Sequence, residues 1–149
     1  MEQLFNDLQK QIAATMGGAV SLIDEDYGQL ETLQNGGEQY PVTFPCVLAS
    51  MPAVEWRSLK TGAQPGTLTL TVRLAFDCYA DTAPESTREQ AAAGRMMLSR
   101  KLDGCIHGWT FEGCARAMLR RRTRCYSMPR GIKVYEHTYE TEVEETSEQ

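Results

Sequence analysis

Asp24, Glu25 and Asp26, followed by Gly28 and Glu31, place four carboxylates within eight residues. Clustered carboxylate oxygens are the donors that a hard cation such as calcium takes. The calcium-binding EF-hand loop needs glycine at its sixth position and a bidentate glutamate at its twelfth. Counted from Asp24, Gly28 falls at the fifth and Glu31 at the eighth. The spacing therefore predicts a solvated or subunit-contacting turn, with no metal held there.

The two histidines offer the other chemistry. Cys105 stands two residues before His107, but neighbours on a helix end point in different directions and do not by themselves make a nucleophile and its base. His137 lies between Tyr135 and Tyr139 in a stretch that reads as a strand. No G-x-S-x-G elbow and no glycine-rich phosphate loop occurs anywhere in the chain. Structural roles are expected for both histidines, with no catalytic residue and no cofactor.

The strongest local charge feature is Arg120, Arg121 and Arg122 with Arg124. On a helix or a flexible arm such a run suggests phosphate contact. On a strand it splits between two faces. Arg120, Arg122 and Arg124 would then share the wet face, where glutamates of the following strand neutralise them, so a salt-bridged sheet face is expected and specific nucleic-acid binding is not. Trp56 and Trp109 are read as core or interface anchors in preference to binding platforms.

The elements that must carry these residues follow from periodicity. Leu4, Phe5, Leu8, Ile12 and Met16 recur at helical spacing and stop at Gly17 and Gly18. A short apolar stretch at residues 19–23 leads into the acidic turn and an exposed, irregular loop that reaches Tyr40 and Pro41. Residues 44–51 are nearly all apolar and read as a buried strand with Pro45 at its entrance. Residues 57–66, polar with Gly62, Pro65 and Gly66, have the composition of a mobile loop tip.

The clearest signal is at residues 67–79, where Leu68, Leu70, Val72, Leu74, Phe76 and Cys78 alternate with Thr67, Thr69, Thr71, Arg73 and Asp77. That pattern predicts a long strand with one wet face. Ser86 and Glu89 have capping-box spacing before a second, main helix whose apolar face carries Ala91, Leu98, Leu102, Cys105 and Ile106, with Gly104 near its end.

Residues 115–126 and 132–144 flank Pro129, Arg130 and Gly131, and predict a hairpin with glycine at the left-handed position. If Met128 pairs with Ile132, then Arg124 faces Glu136, Arg120 faces Glu140 and Arg116 faces Glu144, while Leu119 and Arg121 face Thr141 and Tyr139. Each opposite-charge pair across the strands would contribute about 0.2 to 1 kcal/mol, and a one-residue slip would set arginines against tyrosines. The expected architecture is α+β: a mostly antiparallel sheet of about four to five strands with two main helices on one face, in one domain over residues 1–149 with a frayed acidic tail at 144–149.

Size and charge agree with that frame. A chain of 149 residues fits one domain, and one of that size buries roughly 70% of the surface its unfolded form exposes. A net charge of −5 argues against a general binder of nucleic acid or of membrane surfaces. The N-terminus lacks the basic start and apolar run of a signal peptide, and no window approaches a membrane span, so the chain is expected to stay in the compartment where it is made. The five cysteines, Cys46, Cys78, Cys105, Cys114 and Cys125, are odd in number and widely spaced, and read as reduced, mostly buried small hydrophobes.

Ile23 through Leu30 (IDEDYGQL), Phe44 through Leu48 (FPCVL), His107-Gly108-Trp109 and Tyr139 through Val143 (YETEV) resemble strings in a group of prophage-encoded proteins from gut bacteria. The layout is similar to that of tail terminator and tail completion proteins of long-tailed phages. This resemblance implies a small α+β fold, assembly as a ring on the tail tube, contact with tail-tube or connector proteins, and no catalytic residues. It also implies assembly in the bacterial host cytoplasm, followed by residence in the virion tail. A head-to-tail connector role uses the same layout, and a monomeric binding module using the arginine-rich strand is the reading of another class. Asp24, Glu25, Asp26, Arg57, Lys60, Arg120, Arg122 and Arg124 are the expected interaction residues, since loops and exposed edges are where partner surfaces lie.

Overall fold

The computed structural model describes residues 2–34, 42–57, 63–78, 85–111 and 114–146. Lys60, Tyr79 and the end of the tail at 147–149 lie outside them. The apolar stripe of the N-terminal segment forms helix α1, Glu2–Met16, and Leu4, Phe5, Leu8, Ile12 and Met16 are all buried. Each such side chain contributes about 1.5 to 3 kcal/mol on leaving water.

Strand β1 (Leu22–Glu25) is followed by helix α2 (Gln29–Gln34), strands β2 (Cys46–Ala49), β3 (Ala53–Trp56) and β4 (Ala63–Asp77), and helix α3 (Glu85–Ile106). Strands β5 (Leu119–Met128) and β6 (Ile132–Thr146) close the chain. The fold is α+β, with six strands among the described residues where four to five were expected. Their order is β1-β2-β4-β6-β5, and β3 continues along β4 beyond β2. β1 and β2 run parallel; the other pairs among the described residues are antiparallel.

β4 and β6 are the spine. The alternation of β4 places Leu68, Leu70, Val72, Leu74 and Phe76 in one core with α1, Leu102 and Ile106 of α3, and Tyr135, Tyr139 and Val143 of β6. On the opposite face, Leu30 of α2 covers a smaller core of Cys46, Leu48, Ala75, Ile132 and Val134. The stretch expected to be an exposed loop thus holds a helix, and that helix lies on the face left uncovered by α1 and α3. Gln29, itself buried, shapes its start: its side chain donates to Glu25 O at 2.7 Å and accepts from the Tyr27 amide at 2.9 Å. A helix of 6 residues carrying one buried leucine gives too little periodicity to be read from sequence.

The polar stretch 57–66 is also corrected in part. Residues 63–66 are the first residues of β4 and pair with Val143–Thr146, so β6 runs past Glu144, where fraying was expected. The Arg57 amide donates to Pro65 O at 2.9 Å, and Gln64 Nε2 to Arg57 O at 3.0 Å. Gly66 is required here, because a Cβ would stand 2.7 Å from Trp56 Cε3 and 2.8 Å from Val54 Cγ1. Residues 58–62 lie outside the described residues. Helix α3 begins at Glu85, which puts Ser86 inside the helix instead of at its cap.

Between β2 and β3 the chain leaves β4 at Ser50 without losing pairing: the Ser50 amide donates to Thr71 O at 2.8 Å, and Ser50 Oγ accepts from the Thr71 amide at 3.0 Å. The β5–β6 hairpin turns through a short 3-10 segment at Pro129–Gly131 with Arg130 and Gly131 both left-handed, at φ 70° and 74°. Met128 pairs with Ile132 and Arg124 with Glu136. The register then shifts at a bulge between Arg120 and Arg122, so Arg120 faces Tyr139 and Leu119 faces Glu140. Residues 114–118 precede the strand, touching β6 through an isolated Cys114–Val143 backbone bridge and the Ala115 amide on Glu142 O at 2.7 Å.

Candidate interaction surfaces

The bulge decides where the arginines go. An extra residue inserted on one strand shifts each side chain beyond it to the other face. Arg124 stays on the far face and meets Glu136, with Nη2 to Oε2 at 3.0 Å, while its guanidinium lies 5.1 Å from the centre of the Tyr126 ring. Arg121, at the bulge, reaches Glu140 at 2.6 Å. Arg120 leaves the glutamate face altogether and binds Asp103 of α3, Nη1 to Oδ2 at 2.9 Å. Arg120, Arg122 and Arg124 therefore do not share one face. Arg122 is exposed and makes no ion pair among the described residues.

Asp26 is not a solvated turn residue. Arg73, buried on the far face of β4, reaches it through two hydrogen bonds, Nε to Oδ2 at 2.8 Å and Nη2 to Oδ1 at 3.1 Å, and reaches Glu31 Oε1 at 2.8 Å. Burial alone would pull the pKa of this guanidinium down; the hydrogen bonds to Glu31, Asp26 and Tyr126 outweigh it and hold it above the ordinary arginine value. The acidic turn is thus split. Asp26 is bound inward, while Asp24 makes no ion pair among the described residues and caps the Glu25 amide through Oδ1 at 2.8 Å. Glu25 likewise has no cationic partner among the described residues. Arg57 donates to Thr67 Oγ1 at 3.0 Å and lies 3.8 Å from Glu142.

The helix side holds a polar cluster that the sequence did not reveal. His137 is buried, with Nε2 2.9 Å from Ser99 Oγ of α3 and Nδ1 3.0 Å from Thr123 Oγ1 of β5. Burial, helped by the charge on Arg120, pushes the His137 pKa below its ordinary value, against the pull of Asp103. Tyr139 OH donates to Asp103 Oδ1 at 2.8 Å, and burial first, then Asp103, holds its pKa above the tyrosine range. Beside these residues lies a hollow of about 170 Å³ lined by Met96, Ser99, Arg100, Thr123, Cys125 and His137, among others.

A serine hydroxyl on a histidine has the form of a nucleophile and base. Here the far nitrogen of the imidazole meets a threonine hydroxyl instead of an orienting carboxylate. Ser99 sits within α3, where backbone amides are spent on the helix's own hydrogen bonds and supply no oxyanion donors. The arrangement does the work of a satisfied buried network that locks α3 to β5 and β6. Among the described residues no group of three or more His, Cys, Asp or Glu side chains stands placed to hold a metal.

The Cys105–His107 pair does not assemble. Cys105 is buried with Sγ donating to Leu102 O at 3.1 Å, and burial raises its pKa. His107 is exposed, and its Nδ1 accepts the Arg120 amide at 3.1 Å. Trp109 packs beside Phe111 at 5.6 Å, partly buried against the core, while Trp56 is exposed on β3. Among the cysteines, Cys46 and Cys105 are buried, Cys78 and Cys114 half-buried and Cys125 exposed, so burial is less general than the sequence reading expected. No described helix is long and apolar enough to cross a membrane.

No protein-family model and no curated protein matches the chain. Among solved structures, it is similar to a chain of the virion of a native gene transfer agent particle, at a TM-score of 0.55 and 15% identity, over 93% of this chain and 92% of that one. At that identity the likeness is one of fold.

Proposed function

We propose that this protein is a non-enzymatic structural subunit of a phage-like particle. Within such a particle we assign it to tail termination or completion: a ring-forming subunit that caps the tail tube, meets the head-side connector and leaves a channel for DNA. The observation that carries the reading is the near full-length fold likeness to a chain of a gene transfer agent virion. The similarity of its sequence strings to prophage-encoded proteins points the same way.

The charge distribution supports it. Three of the four arginines on β5 are tied to Asp103, Glu140 and Glu136, so they have little counterion release to gain from phosphate. An acidic subunit suits a lumen through which DNA slides without adhering. Ring formation uses heterologous contacts that close on themselves. The subunit would assemble in the host cytoplasm and reside in the virion tail, without a cofactor.

The test is solution mass by light scattering across a concentration series, alone and with purified tail-tube protein from the same gene cluster. A discrete ring-sized species, free or on the tube, is expected. A strict monomer that ignores the tube would overturn termination, and binding to the connector alone would move the subunit into the neck.

A further inference from the structure

The sheet has two edges, and they differ in kind. At one end stands β5, ten residues long, with every side chain exposed except the half-buried Tyr126 and Met128. At the other stands β1, four residues, all half-buried. Neither carries a further strand among the described residues. Unpaired strand edges are templates for another chain.

We propose that copies of this protein join edge to edge, β5 of one copy adding antiparallel to β1 of the next, so that the sheet runs on around the ring. This rests on the ring reading above and names the contact that closes it.

Strand direction supports the pairing. β1 and β2 run one way, β4 the other, β6 the first way again and β5 opposite to it. Rotation about an axis along the strands preserves direction from copy to copy. The next β1 then arrives antiparallel to β5, and the helices stay on the same side of the extended sheet.

Charge selects this pairing over the alternatives. Asp103, Glu136 and Glu140 neutralise three arginines of β5 and leave Arg122 uncompensated, while Asp24 and Glu25 of β1 have no cationic partner among the described residues. Pairing β5 with β5, or β1 with β1, would oppose like charges; β5 on β1 sets a basic edge on an acidic one.

Shape agrees beyond the strands. Extending the sheet brings α3 alongside the neighbouring α1. Met96 and Met97 of α3 stand 50% and 70% exposed, Met96 lining the hollow beside Thr123 and Cys125. Between β1 and α1 lies an open groove of about 430 Å³, lined by Gln3, Asn6, Gln9, Lys10, Ala13 and Ile23. The flexible Met96 beside one edge and an open groove of mixed polarity beside the other form a second contact parallel to the strand pairing.

The experiment uses two full-length charge variants, each followed by circular dichroism and light scattering. The first carries Arg122→Glu with Ser127→Glu, both exposed and without ion pairs of their own; the second carries Asp24→Lys with Glu25→Lys. Each alone should need about tenfold more protein than wild type to assemble. A 1:1 mixture should recover assembly with an even number of copies, because the alternating arrangement restores opposite charges at every contact. Assembly of either variant alone at the wild-type concentration, or a mixture that stays monomeric, overturns the pairing. Rings that are unchanged in all variants would overturn this interface while leaving the ring reading intact. Wild type that never assembles, free or on the tube, sinks both. Should a charge reversal unfold the chain, Arg122→Gln and Asp24→Asn replace it: each should weaken assembly severalfold, and unchanged assembly overturns the proposal.

Discussion

Arg73 and Asp26 meet as a fork, with Nε 2.8 Å from Oδ2 and Nη2 3.1 Å from Oδ1, and the pair ties the β1–α2 turn to the middle of β4. Glu31 adds a second carboxylate from α2, so one buried guanidinium fixes both ends of a segment that has little apolar burial of its own. The four carboxylates from Asp24 to Glu31 consequently play unlike parts: two hold the fold together, and two remain on an open edge.

Removing that guanidinium leaves Asp26 and Glu31 side by side without a cation. Arg73→Met is expected to lose about 3 kcal/mol of stability. Adding Asp26→Asn to Arg73→Met should cost less than Asp26→Asn costs in wild type. Urea unfolding of the two single variants and the double variant measures this; strictly additive losses would show that the pair is not coupled.

Tyr139 is fully buried and donates to a carboxylate that Arg120 also holds. Tyr139→Phe keeps the ring packing and removes only the hydroxyl, so a loss of about 2 kcal/mol is expected. Denaturant midpoints at neutral pH check it, and a neutral substitution would mean that water replaces the hydroxyl at Asp103.

His137 gives the fold a pH dependence of definite sign. Its folded pKa lies below the ordinary 6.5, so as pH falls beneath that value the unfolded chain takes up a proton that the native protein refuses. The stability contributed by neutral His137 is complete above pH 6.5 and declines below it, by at most about 1.4 kcal/mol per pH unit. Unfolding between pH 7.5 and 5 should therefore be steeper in pH for wild type than for His137→Gln. Equal slopes would rule out His137 as the group responsible.

The thiols should separate by burial. Cys46 is fully buried and its pKa is pushed up to about 12 by desolvation, against the opposing pull of Arg73. Alkylation at pH 8 is expected to modify Cys125 first, and Cys46 and Cys105 only after denaturant is added. Mass spectrometry of peptides from a timed reaction reads the order, and early labelling of Cys46 would mean that β2 opens readily.

Much of the frame is legible in the residues because it depends on neighbours in the chain. The stripe from Leu4 to Met16 makes α1, the alternation from Leu68 to Phe76 makes β4, and Met128 against Ile132 sets the hairpin. Local periodicity reports which face is buried, and a strand period of two leaves little freedom once one face must be apolar.

What the residues alone left open were relationships across long separations. Arg73 reaches Asp26 across 47 positions and Ser99 meets His137 across 38, and no spacing rule links residues that only packing brings together. The bulge beside Arg121 was illegible for a related reason. Cross-strand pairing alone favoured one unbroken register, and the partner that Arg120 finds after the slip, Asp103, belongs to the helix layer, which leaves Glu140 to Arg121. The sequence by itself determined α1, β2, most of β4, α3 and the hairpin's starting register; tertiary structure decided the short elements β1, α2 and β3, which charges are held inside the molecule and which remain at its edges, because each of these settles where partners from several elements converge.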